Sequence, residues 1–132
     1  MKQLNEVVEL LSSAGIVMPG AQVSQDEAVR IVRERYPFAE YCIVSHWIWI
    51  DIDVSAIDIN ALARTKRQPA VLYAHNVIYD SQRRWDVGGF VRTSLLHRFE
   101  DGFIFRTLNS VYILMGDGVR KRAAPETVGR IF

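Results

Sequence analysis

Apolar and polar positions alternate most regularly from Val44 to Val54, which sets Val44, His46, Ile48, Ile50, Ile52 and Val54 on one face of a strand and Ser45, Trp47, Trp49, Asp51 and Asp53 on the other. The first face is apolar enough to floor a core. The second begins aromatic and ends acidic, as a strand does when it leaves cover and runs into water. This central strand is expected over about residues 40–54. Ahead of it, Leu4, Val7, Val8 and Leu11 recur at helical spacing and predict a short amphipathic helix over 4–13, stopped near Gly15. Ile16 to Gln22 contains Pro19-Gly20 and reads as a loop. Ser24-Gln25-Asp26-Glu27 is a capping box that opens a second helix, with Ala28, Ile31 and Val32 on one side and an end before Pro37.

After the central strand, Ser55 to Asp58 can cap a third, short helix whose inner face is Ile59, Leu62 and Ala63 and whose end carries Arg64, Lys66 and Arg67. Ala70 to Asp80 is strand-like again, with Val71, Tyr73, His75, Val77 and Tyr79 on one face. Ser81 to Trp85 is a polar, basic turn. The remainder predicts an antiparallel meander: a strand from Phe90 to Phe99, an Asp101-Gly102 hairpin turn, a return over Phe103 to Thr107, then Val111 to Met115. Gly116-Asp117-Gly118 reads as a further turn from which Val119 to Arg122 pairs back. Pro125 suits the first position of a final helical turn. The expected fold is α+β: two N-terminal helices packed on a mostly antiparallel sheet of about five strands, in one domain over residues 1–132.

Composition narrows the class without naming an activity. With 132 residues, 49% apolar and 23% charged, the chain suits one folded domain with a core of its own. No apolar run approaches the roughly 20 residues of a membrane span, so the expected setting is cytoplasmic, with no membrane partner. The single cysteine, Cys42, excludes an internal disulfide and reads as a small buried hydrophobe. The net charge of +1 conceals a division: residues 1 to 63 carry four basic and nine acidic side chains, residues 64 to 132 twelve basic and six acidic. Such a split points to a nucleic-acid surface on the basic half, or to two oppositely charged faces that steer a protein partner or favour head-to-tail self-association.

Trp47 and Trp49 share a face, and as large aromatics they are the expected anchor of a protein partner, with Asp51 and Asp53 extending that site. The competing reading packs the two N-terminal helices on the same face and makes the indoles core. Asp51 and Asp53 are also spaced to share Mg²⁺, which would make a metal-dependent hydrolase, although no further ligand joins them and no metal or other cofactor is assigned. His46, His75 and His97 lack metal-ligand spacing, and Ser94 lacks a nucleophile-elbow context. Arg83, Arg84 and Trp85, with Arg120, Lys121 and Arg122, combine cations and a ring as a single-strand nucleic-acid binder does.

Val91-Arg92-Thr93-Ser94, Thr107 to Tyr112 and Gly116-Asp117-Gly118, with Arg33-Glu34-Arg35-Tyr36-Pro37 and the Trp-rich strand, give the chain a resemblance to a family of small uncharacterised bacterial and prophage-associated proteins. That resemblance implies a bacterial cytoplasm, a mobile-element origin and an accessory role in binding another protein. It transfers no catalytic residue. The expectation is a small non-enzymatic protein-binding module, with nucleic-acid binding through the basic half as the alternative.

Overall fold

The computed structural model describes residues 2–132, and side chains from Asn5 onward, so the Leu4 side chain expected on the first helix lies outside the described residues. In chain order the elements are α1 (Lys2–Ser12), β1 (Ile16–Pro19), α2 (Gln25–Arg35), β2 (Tyr41–Ile52), α3 (Ala56–Arg64), β3 (Ala70–Asp80), β4 (Val91–Arg92), β5 (Arg98–Glu100), β6 (Ile104–Arg106), β7 (Val111–Leu114), β8 (Asp117–Ala123) and α4 (Pro125–Ile131). The eight strands form one sheet in the order β1-β8-β2-β7-β6-β5, with β3 on the other edge of β2 and β4 beyond it.

β2 is the strand on which the sheet is built. It pairs antiparallel with β3 along almost its whole length. Its opposite edge is shared, Tyr41–Val44 running parallel to β7 and Ile48–Ile52 parallel to β8. Where the partner changes, His46 adopts a left-handed backbone with φ 52°, and both His46 and His75 drop out of the β2–β3 ladder. One residue drops out of each strand, so the register is the same on either side, Ser45 facing Asn76 and Trp47 facing Ala74, while the side-chain phase of both strands shifts; a separate β-bulge interrupts the register between Ile43 and Val44. Cys42 and Val44 therefore point into the same cluster as Trp47 and Trp49, and Leu72 and Ala74 into the same cluster as Val77. The unbroken alternation expected from Val44 to Val54 is not kept: Val44 sides with the indoles, not with Ile48 and Ile50.

The sheet curls into a half-barrel. Its flanks are tied by the Gln68 N–H donating to the Leu96 carbonyl, the Leu96 N–H to Ala70 and the His97 N–H to Arg106, at 2.8, 2.8 and 2.7 Å. The inner wall carries Trp47, Trp49, Leu72, Phe105, Tyr112 and Leu114, all buried. Outside, α2 lays Ala28 and Val32 over Ile43, Ile104 and Ile113, while α1 and α4 lay Leu10, Val128 and Ile131 over Ile48, Ile50 and Val71. Each Val, Leu or Ile among these contributes about 1.5–3 kcal/mol by leaving water. Trp47 fills the space beside β1 and β8 so closely that a Cβ at Gly118 would stand 2.3 Å from its Cδ2.

The architecture of two N-terminal helices on about five strands is thus replaced by an eight-strand curled sheet with four short helices, three of them spread over its outer face. Two local signals misdirected the expectation. Pro19-Gly20 signals a loop, yet Ile16–Pro19 is an edge strand paired antiparallel with β8. Gly116 has a left-handed φ of 66° but only kinks the chain, and β8 continues in the direction of β7 instead of turning back. Other local signals hold. The Glu27 N–H donates to Ser24 Oγ at 3.2 Å, although the Glu27 carboxylate pairs with Arg30 and does not reach back to Ser24. Asp101 and Gly102, with φ of 54° and 77°, make the β5–β6 turn, and Pro125 opens α4.

Candidate docking surface

The residues expected to meet a partner are largely engaged within the fold. Trp47 is 1% exposed and Trp49 5%. The Trp47 indole N–H donates to the Met115 carbonyl at 3.3 Å and that of Trp49 to Asp51 at 3.0 Å. Phe99 and Phe105 meet the Trp49 ring edge to face, with centroids 4.9 and 5.2 Å away. The indoles are sealed on the inner wall, opposite the helices and not beneath them, and offer no surface on which a partner could close.

Asp51 accepts two bonds from Arg120, at 2.6 and 3.0 Å, and Asp53 faces Arg122 at 3.5 Å. Burial works against ionising Asp51. The bonds from Arg120 and the Trp49 indole, with the charges of Arg120 and Arg122, outweigh it and hold the carboxyl below its ordinary range. Both carboxylates proposed for Mg²⁺ are thus met by guanidinium groups. Among the described residues no group of three or more His, Cys, Asp and Glu is placed to hold a metal ion.

The cations expected for nucleic acid fall in two separate places. Arg84 bonds the fully buried Asp80 carboxylate at 2.7 Å, reaches Glu40 and Ser110, and lies 4.6 Å over the Trp85 ring. Lys121 projects its ammonium onto the carbonyls of Leu10 and Ser13 and so closes the C-terminal end of α1. Arg120 and Arg122 are the partners of Asp51 and Asp53, as described. Arg83 alone of the six is an exposed cation with no ion pair or side-chain hydrogen bond among the described residues.

A different basic surface forms where α3 ends. Curling of the sheet brings Lys66, Arg67 and Gln68 against His97, Arg98 and Arg106, around a concavity of about 680 Å³ that Ala63 completes. No carboxylate lines it. Arg64, Lys66, Arg67 and Arg98 make no ion pair among the described residues. Arg106 does, with Glu100 at 3.1 Å, and its guanidinium stacks 4.2 Å over Tyr36. Burial opposes charge on Glu100, yet bonds from Tyr36 and Arg106 keep its carboxyl below the usual range.

Local geometry here runs against stability. The Lys66 N–H donates to Ala63 and the Arg67 N–H to Leu62, the two bonds of a Schellman ending. That motif places Lys66 at φ 59°, a conformation glycine would fill with less strain. Arg98 stands directly across the strand pair from Arg106, and like charges so placed repel. His97 Nδ1 lies 2.6 Å from the Lys66 carbonyl, which can only accept, so Nδ1 carries the proton and Nε2 is left for other bonds. Sequence reasoning noted Arg64, Lys66 and Arg67 only as a helix end, since their meeting with residues 97–106 depends on the curl.

α3 itself is anomalous. Ser55 caps it, with the Asp58 N–H donating to Ser55 Oγ at 3.3 Å, as expected. Yet Ile59, Leu62 and Ala63 do not form an inner face: no residue of the helix is buried, and Ile57 is 79% exposed.

No curated protein and no solved structure matches this chain. No described helix is long and apolar enough to cross a membrane. Residues 19–130 match one family model, and on that coverage the chain belongs to the family described as Domain of unknown function (DUF6957).

Proposed function

We propose that the protein is a non-enzymatic docking module that receives an acidic segment of another protein in the concavity between α3, β5 and β6. The supporting observation is the convergence of Lys66, Arg67, Arg98 and Arg106, with no carboxylate among the lining residues and with two features, left-handed Lys66 and the Arg98–Arg106 pair, that cost local stability. Departures of that kind gather where function outweighs stability. Electrostatic complementarity would steer the encounter and set the orientation of the partner. A bacterial cytoplasmic setting and an accessory role for a mobile element complete the reading, on the strength of the sequence resemblance.

The test is fluorescence anisotropy of a labelled polyglutamate peptide titrated with the protein at rising salt. Binding that weakens with salt and is lost in Arg67→Glu/Arg98→Glu, but not in the exposed α2 control Arg33→Glu, is the expected result. Equal binding by the two charge-reversed proteins would remove the concavity from consideration. Single-stranded DNA is the competing ligand class. It would be favoured only if it bound more tightly than polyglutamate with a linear loss in log salt.

A further inference from the structure

The helix beside the concavity carries a second observation. α3 spans nine residues, below the roughly 12–15 at which an isolated helix becomes stable in water. Apolar side chains occupy more than one side of it, with Ile59, Leu62 and Ala63 along one stripe and Ile57 and Ala61 along another. Only Asp58, Asn60 and Arg64 interrupt its apolar side chains, and a helix with so wide an apolar surface is ordinarily covered. In this chain it is not covered: Ile57 is 79% and Ile59 44% exposed. The Ile59 stripe leads, one turn on, to Ala63, which lines the basic concavity. Apolar and cationic surfaces are therefore continuous.

We infer that α3 is half of an interface whose other half is an acidic amphipathic segment, with apolar side chains that pack on Ile57 and Ile59 while its carboxylates enter the concavity. This rests on the function proposed above and adds the apolar anchor. Two features favour protein over nucleic acid. The concavity is lined by no Phe, Tyr or Trp on which bases would stack, and a phosphate chain would leave the isoleucines uncovered. The charge of the concavity argues against a second copy of α3, which would bring the same cations to the interface.

The experiment compares four labelled or vesicle probes against the full chain at about 150 mM salt, where exposed charges are screened beyond roughly 8 Å. They are a peptide with Glu and Leu at i, i+3 and i+4 spacing, its scrambled form, polyglutamate of equal charge, and vesicles of anionic lipid. Burial of two isoleucines predicts that the patterned peptide binds at least about tenfold more tightly than polyglutamate. Ile57→Ser/Ile59→Ser should abolish that preference while polyglutamate binding and the circular dichroism spectrum stay unchanged. Arg67→Glu/Arg98→Glu should weaken both peptides. If the patterned and scrambled peptides bind alike, or the serine variant keeps the preference, the apolar anchor is refuted while the acidic-partner reading stands. Failure of every peptide to bind would overturn both. Tighter capture by vesicles, or a dimer in sedimentation that the serine variant dissolves, would assign α3 to a membrane surface or a second copy and overturn the inference.

Discussion

Substituting Gly118 by alanine tests the placement of Trp47 directly. A Cβ at that position would lie 2.3 Å from Trp47 Cδ2 and 2.4 Å from Cε3, whereas ordinary contacts begin at 3.4 Å, so the indole or β8 must move by about an ångström. Trp47 has nowhere to go, being 1% exposed, with its ring also against Gly20 and its N–H held by the Met115 carbonyl. Overpacking of this kind costs about 1–3 kcal/mol. Trp47→Leu removes the obstructing ring at a cost below the roughly 3–5 kcal/mol of full truncation to alanine. In urea denaturation followed by far-UV circular dichroism, the double variant should be more stable than the sum of the single losses implies, by about 1–3 kcal/mol. Gly20→Ala is the control. A Cβ there meets the backbone oxygens of Gly116 and Leu114 at 2.4 and 2.5 Å, so Trp47→Leu should not rescue it. Additivity within about 0.5 kcal/mol at Gly118 would show that the indole is not packed on β8.

Cys42 is buried and its thiol is pushed up to about 12, first by burial and then by the neighbouring Asp80 charge, so a disulfide reagent at neutral pH should label it only after unfolding. For the Asp51–Arg120 pair, a folded pKa below the ordinary value means stabilisation present above the usual carboxylate range and lost as pH falls through the lowered value. Thermal melts should therefore show Asp51→Asn costing about 1 kcal/mol at neutral pH and progressively less in acid. Arg84→Ala leaves the fully buried Asp80 carboxylate without its cation and should cost about 3–5 kcal/mol, part of it restored by adding Asp80→Asn, as chemical denaturation would measure. Lys66→Gly should raise stability by about 1 kcal/mol while weakening polyglutamate binding; a loss of stability would contradict the strained helix ending.

The elements that the sequence predicts well are those decided by neighbouring residues. The Ser24 cap, the Asp101-Gly102 turn, Pro125 at the head of α4 and the full extent of β3 all follow from chemistry within a few positions. What escaped was decided at a distance. β1 becomes a strand because β8 lies beside it, in spite of Pro19-Gly20. The indoles belong to the inner wall because the sheet curls, and period-two arithmetic could not register the slip at His46, whose left-handed backbone carries no strong sequence mark. The basic concavity draws on residues 66–68, 97–98 and 106, which only the tie through Leu96 and His97 brings together. A run of cations after a helix was visible; their lack of carboxylate neighbours was not.

The slip shared by β2 and β3 restricts where the polypeptide can gain or lose residues. Deleting one residue between Val44 and Trp47 would set the two at i, i+2 spacing, so regular alternation would keep the indoles on the inner wall but remove the slip from β2 while β3 retains its own at His75. The matching kink at Gly116 would then be left without its counterpart on β2. An insertion is better tolerated at Val87, which is 74% exposed and outside every strand. Length is thus free at the rim of the half-barrel and locked at its waist.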